Sequence, residues 1–359
     1  MSFLKHIKPS VRRLEAYSVR STPLTADLIK LNQNENPFDL PPELKRELLS
    51  GFMERPWNRY PDVFPEELIA ALSADLGVPK ESIIAANGSN ELMYTILMSI
   101  VGSGTKVLIP TPTFFLYEKI VAVLEGTVVD VPANADLTFD TDGIIAAARR
   151  EKPSLIVLNS PNSPTGQMLP IDDVKRIIDA TDAIVLIDEA YIEFADYPSA
   201  ISELSASERL IILRTFSKAF SMAGLRIGYL LAQPGLCAEL RKPKIPFTVN
   251  QFSSSAAIHV LKRKDLIAER IARIKKGKQT LFESLQKIEE IMVFPSQTNF
   301  LIFRTNGDAR ALFEQLLAEH VLIRDVSSYP MLDNTLRVNA GTEEENEAFL
   351  RSVKKYFRQ

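Results

Sequence analysis

Seven short apolar runs, at residues 83–86, 107–109, 127–129, 155–158, 183–187, 210–213 and 227–231, restrict the fold of this chain more than any other feature. They are short for core helices and alternate too little for strands with one wet face, so they read as strands buried on both sides. The stretches between them, such as residues 90–101 and 172–180, space their apolar positions as amphipathic helices do. Strand and helix in alternation predict an α/β fold with a mostly parallel seven-stranded sheet between helices. Ligands of such sheets bind beyond the carboxyl ends of the strands, so the residues that follow each run are candidates for chemistry.

The pattern changes on either side of this region. Residues 1–40 carry Pro9, Pro23 and Pro37 with little periodicity and read as an N-terminal arm. After Pro246 come helical stretches at 252–261 and 265–288, a strand pair near 299–303 and 336–339, and a closing helix at 343–357. The expected division is a large domain at 41–247 and a smaller α+β domain at 248–359, with the arm at 1–40 counted as part of the small domain. A chain of 359 residues is long enough for two cores.

Charge and residue usage exclude several classes of function. A net charge of -3, with signs interleaved, leaves no basic footprint for a nucleic-acid backbone. Cys237 is the only cysteine, and His6, His259 and His320 are the only histidines, so neither a disulfide framework nor a thiol- or His-rich metal site is expected. Residues 1–30 lack a signal-peptide pattern, and no apolar run approaches membrane-spanning length. A cytoplasmic protein that binds small molecules is the expectation.

Candidate chemistry gathers where the runs end. Lys218 and Arg226 sit in the small-residue stretch Thr215-Phe-Ser-Lys-Ala-Phe-Ser-Met-Ala-Gly-Leu-Arg226. A lysine whose charge is disfavoured by burial and a nearby cation can condense with an aldehyde, although a lone lysine is more often solvated. Asp188 ends the run at 183–187, where it either pairs with a protonated heterocycle or caps the next segment. Tyr191 follows as a hydrogen-bond donor or as ordinary packing. Asn87-Gly88-Ser89-Asn90 opens a helix after a strand, which suits an anion, and it lacks the dinucleotide fingerprint Gly-x-Gly-x-x-Gly. Phe114 could stack on a flat ring. Arg55, Trp57, Arg59 and Tyr60 form a polar aromatic loop. Arg324 and Arg337 stand in otherwise apolar strands and read as anion ligands or as internal salt bridges, with Asp325 the obvious partner of Arg324. Asn162-Ser-Pro-Thr-Gly166 and Asp188-Glu-Ala-Tyr191, joined with the Lys218 segment, suggest a pyridoxal 5'-phosphate site.

In order along the chain, Leu31-Asn-Gln-Asn-Glu-Asn-Pro37, Arg59-Tyr-Pro-Asp62, Asp188-Glu-Ala-Tyr-Ile-Glu-Phe194, Arg214-Thr-Phe-Ser-Lys-Ala-Phe220, Leu322-Ile-Arg-Asp-Val-Ser-Ser-Tyr-Pro330 and Leu336-Arg-Val-Asn-Ala-Gly-Thr342 resemble the fold-type-I pyridoxal-phosphate-dependent aminotransferases, nearest the branch that acts on histidinol phosphate. The resemblance covers almost the whole length. It implies transfer of an amino group between L-histidinol phosphate and 2-oxoglutarate, a step of histidine biosynthesis; aromatic amino acid aminotransferases and threonine-phosphate decarboxylase share the scaffold. By this resemblance Lys218 would be the Schiff-base lysine, Asp188 the partner of the ring nitrogen and Tyr191 a ligand of the phenolic oxygen. Phe114 would stack on the ring. Gly88, Ser89, Asn90, Ser217 and Arg226 would hold the cofactor phosphate, with Tyr60 arriving from the other subunit of a homodimer. Arg337, with Arg324, Tyr17 and Asn34, would bind substrate. The family usually has Asn-Asn-Pro-Thr-Gly where this chain has Asn162-Ser163-Pro-Thr-Gly, so either Ser163 supplies the missing hydrogen bond or Asn162 is re-aimed.

Overall fold

The computed structural model describes residues 2–16 and 27–357. Strand β1 (Ile29–Lys30) belongs to the arm; β2 (Ile83–Ala86), β3 (Lys106–Thr111), β4 (Thr127–Pro132), β5 (Leu155–Asn159), β6 (Ile184–Asp188), β7 (Leu210–Thr215) and β8 (Gly228–Ala232) build the large sheet in the order β2-β8-β7-β6-β5-β3-β4. The seven runs of the sequence are these seven strands. All neighbours pair in parallel except β8, which runs antiparallel to both β2 and β7.

Each central strand feeds two cores because its side chains alternate. Ile156 and Leu158 of β5 join one core, whereas Leu155 and Val157 join the other. The helix Leu116–Val123, between β3 and β4, lies on the second face; the helices Thr141–Glu151 and Ile171–Asp179, which lead to β5 and β6, lie on the first. The chain therefore reverses its direction across the sheet between β3 and β5. A crevice opens there at the carboxyl ends of the strands.

Beyond the large sheet, β9 (Ile291–Val293), β10 (Phe300–Thr305), β12 (Arg324–Asp325) and β13 (Thr335–Asn339) form an antiparallel sheet in the order β12-β13-β10-β9. Strand β11 (Val321–Leu322) pairs in parallel with β1 instead, and Asn339 N donates to Leu31 O at 3.1 Å, so the arm is hydrogen-bonded to the small sheet's side of the molecule. The helix Gln251–Leu261, beyond the boundary expected at 247, gives Ala256, Ala257 and Val260 to the first core of the large sheet.

Gly228 shows how closely β8 approaches the next element. A Cβ there would lie 2.3 Å from Ser89 N, at the start of the helix Ser89–Ile100. Gly228→Ala should therefore destabilise the protein by about 1–3 kcal/mol, as overpacking against backbone does. Urea unfolding should show a lowered midpoint at unchanged slope.

Candidate active site

A cavity of about 480 Å³ occupies the crevice at the ends of β3, β5, β6 and β7. Its wall includes Ser89, Asn90, Phe114, Tyr117, Asn159, Ser163, Asp188, Tyr191, Ser217, Lys218 and Arg226, and residues 32–35 of the arm, Arg324, Tyr329 and Arg337 reach it from the small domain's side.

Asp188, the last residue of β6, is 3% exposed. Its Oδ2 accepts from Tyr117 Oη at 2.7 Å and its Oδ1 from Ala190 N at 3.0 Å. Burial pushes its carboxyl up to about 6, against the hydrogen bonds from Tyr117 and Ala190 that favour the charged form. The local bond to Ala190 is the capping role foreseen as an alternative; the cavity-lining position and the Tyr117 bond come with it. Tyr117 itself was legible only as one more aromatic near Phe114, since a wholly buried tyrosine at helical spacing looks like core.

Lys218 follows β7 on a short loop, half-buried, with Nζ donating to Gln33 O at 2.8 Å and lying 5.8 Å from the Tyr191 ring centroid. Its pKa lies below the usual lysine value, chiefly through desolvation, with Arg337 and Arg226 acting the same way and Tyr191 and Glu35 opposing. Tyr191 Oη accepts from Asn34 Nδ2 at 2.9 Å, and its ring packs edge-on to Phe300. Asn34 is held by Asn339 Oδ1 on its backbone N–H, while its own buried Oδ1 has no hydrogen-bond partner.

The anion end of the cavity is built by the first turn of the helix Ser89–Ile100 and the loop after β7. Gly88 has φ +80, and a Cβ on it would sit 2.5 Å from Arg226 Nη2, so glycine keeps this guanidinium beside the helix end. Arg226 Nη1 donates to Ser217 Oγ at 3.3 Å and to Ala223 O at 3.0 Å. Backbone amides, two hydroxyls and a guanidinium thus converge where an anion gains most from a helix N-terminus.

Two arginines mark the opposite end. Arg324 and Arg337 are cross-strand partners on β12 and β13, a costly arrangement of like charges unless an anion sits between them. Arg337 donates to Asn32 O at 3.0 Å and to Ser163 Oγ at 3.2 Å. Asp325 is not the partner of Arg324: its Oδ1 accepts from Ser327 N at 2.9 Å.

Of the sequence-predicted residues that the structure describes, Gly88, Asn162 and Tyr60 do not line the cavity. Asn162 is buried to one side, its Nδ2 donating to Pro112 O and Thr165 Oγ1 and its Oδ1 accepting from Thr113 Oγ1. Asn159 and Ser163 line the cavity in its place, joined by a 2.7 Å bond from Ser163 N to Asn159 Oδ1. Tyr60 is 83% exposed against Phe247, outside the cavity of its own chain. Tyr17 lies outside the described residues. Among the described residues no cluster of His, Cys, Asp and Glu could hold a metal, and no helix is long and apolar enough to cross a membrane.

The residues present suit a flat heterocycle that bears a phosphate: a buried carboxyl, an amine whose charged form desolvation disfavours, an aromatic wall and an anion cradle. The family profile described as Aminotransferase class I and II matches residues 26–353. The chain is similar to a histidinol-phosphate aminotransferase of Chlorobaculum parvum, with 47% identity over 97% of each chain. A histidinol-phosphate aminotransferase of Chlorobaculum tepidum is 45% identical over 97% of this chain and 99% of its own. The fold matches the crystal structure of histidinol-phosphate aminotransferase from Sinorhizobium meliloti in complex with pyridoxal-5'-phosphate, with a TM-score of 0.84 and 27% identity, over 91% of this chain and 90% of the other.

The Asp188 environment has a measurable consequence. Its folded value of about 6 lies above the usual 3.8, so folding takes up a proton between these pH values and the ionised carboxyl costs stability above about pH 6. Asp188→Asn should stabilise the ligand-free protein at pH 8 by up to about 3 kcal/mol, with the gain fading toward pH 4. Urea titrations of both proteins across this range read the difference.

Proposed function

Because the chain belongs to the class I and II aminotransferases, we propose that it moves an amino group between L-histidinol phosphate and 2-oxoglutarate with pyridoxal 5'-phosphate as its resident cofactor. The observation that carries the substrate reading is the pair Arg324 and Arg337, set side by side on the cavity wall. Two relatives matched over 97% of this chain bear that enzyme's name.

Gly88, Ser89, Asn90, Ser217 and Arg226 would hold the cofactor phosphate. Asp188, kept in place by Tyr117, would serve the ring nitrogen, Phe114 would supply the aromatic wall, and Tyr191 and Ser163 would donate to the phenolic oxygen. When bound, the cofactor supplies an aldehyde for the lysine amine and a cationic ring that withdraws electrons from the substrate carbon bearing the amine. Asp188 would stabilise a proton on the ring nitrogen. Lys218 Nζ, whose charged form is disfavoured by burial and by Arg337 and Arg226, would take the proton from the amine-bearing carbon and pass it to the cofactor's aldehyde carbon in one half of the cycle, and carry a proton the opposite way in the other. Arg324 and Arg337 grip a phosphate in one half of the cycle, and Arg337 grips a carboxylate in the other. Asn32, Gln33 and Asn34, strapped over the cavity by the arm's bonds to the small sheet, keep water from the reacting atoms.

The working unit is a homodimer in the cytoplasm. Met53, Trp57, Tyr60, Ile245 and Phe247 are exposed on the large-domain side, more apolar surface than a monomer needs. A second copy covers it and receives Tyr60 at its cofactor phosphate. The large domain at 41–247, with the helix Gln251–Leu261 packed into its core, would hold the cofactor, and the small domain would supply the substrate contacts Arg324 and Arg337.

Incubation with histidinol phosphate and 2-oxoglutarate should yield glutamate with ping-pong kinetics. Release of glutamate only with phenylalanine, or of carbon dioxide from threonine phosphate, would replace the substrate assignment. Lys218→Ala should lower kcat by at least about a thousandfold, and borohydride should fix a pyridoxyl adduct to Lys218 in the parent alone. Arg324→Ala should raise the KM for histidinol phosphate about tenfold or more while altering that for glutamate less, since loss of a charge-assisted bond costs about 1.5–3 kcal/mol.

A further inference from the structure

The helix that opens the anion cradle carries a carboxylate in its first turn, Glu91. Its Oε2 accepts from Asn87 N at 2.9 Å, which folds the negative charge back toward Gly88. A dianion held by Ser89 and Arg226 would meet that charge within about one helical turn, in surroundings where Coulomb repulsion is weakly screened.

A buried lysine stands against it. Lys244 has a side chain 1% exposed, and its Nζ lies 3.5 Å from Glu91 Oε1. It also donates to Ile245 O and Thr248 Oγ1, both at 3.0 Å, and Thr248 Oγ1 donates in turn to Glu91 Oε1 at 2.8 Å. The ammonium thus has two hydrogen bonds and one ion-pair partner. Lysine is almost never this buried without a paired charge, and here it sits in the irregular segment between the helices Pro234–Leu240 and Gln251–Leu261. Neither Glu91 nor Lys244 lines the cavity.

We propose that Lys244 is a positioning residue for the cofactor phosphate: it cancels the charge of Glu91, so that the helix end keeps its positive field, and it pins residues 242–250 to that helix. The inference rests on reading the cavity as a pyridoxal-phosphate site. A purely structural ion pair would affect all ligands of the cavity alike, whereas charge cancellation acts through the phosphate.

Dissociation constants of pyridoxal 5'-phosphate and of pyridoxal, read by absorbance on the full-length protein, separate the two. Lys244→Met should weaken pyridoxal 5'-phosphate on the order of tenfold, the scale of a partly buried charge at a helix end, and leave pyridoxal nearly unchanged. The double variant E91Q/K244M should restore most of the loss. Should Lys244→Met not fold, Glu91→Gln alone decides: pyridoxal 5'-phosphate should bind as tightly as in the parent or tighter relative to pyridoxal. Equal weakening of both ligands, or no rescue in the double variant, overturns the inference while leaving the site intact. A parent protein with no preference for the phosphorylated ligand overturns the site reading, and this inference with it.

Discussion

The chain leaves β3 toward one face of the sheet and arrives at β5 from the other, and the site depends on that reversal. No helix can cover the gap between two strands whose connections depart in opposite directions. Into the gap fall the loop after β3 with Phe114, the loop after β5 with Asn159 and Ser163, and the ends of β6 and β7 with Asp188 and Ser217. The antiparallel β8 completes the arrangement: it brings Gly228 against Ser89, and the turn that leads into it brings Arg226 beside Gly88.

Within the cavity one physical effect moves two groups in opposite directions. Desolvation raises the Asp188 carboxyl and lowers the Lys218 amine, in each case disfavouring the charged form. Cations otherwise dominate the wall, with Arg226 at one end and Arg324 and Arg337 at the other. Such a lining favours anionic ligands before any shape is considered.

The strands were legible because a doubly covered strand has few options other than continuous aliphatic residues, as β5, β6 and β7 show; β4, at the sheet edge, departs from the expectation of burial on both sides, with only Val131 buried and Asp130 exposed. Lys218, Asp188 and Tyr191 were legible because each follows such a run closely, and Arg226 because it leads directly into one. Asn162 illustrates the limit: whether an amide in a short loop faces a cavity or its own backbone depends on torsions, and here Pro112, Thr113 and Thr165 satisfy it, so the neighbours Asn159 and Ser163 face inward. Tyr117 escaped notice for another reason, because one side chain serves both the apolar core and the Asp188 hydrogen bond. Glu91 and Lys244, distant in sequence, give no local sign that they meet.

The adjacency of Arg324 and Arg337 is a matter of pairing between two strands, one of them only two residues long. Side chains on a strand alternate between its faces, so a shift of β12 by a single position would turn Arg324 away from the cavity and set Asp325 in its place. Lengthening or trimming the connection at residues 326–334 by one residue would thus exchange a cationic lining for an acidic one, while also displacing the buried neighbours Ile323 and Val326. Recognition of a doubly charged group is encoded here in a hairpin's length as much as in the identity of its residues.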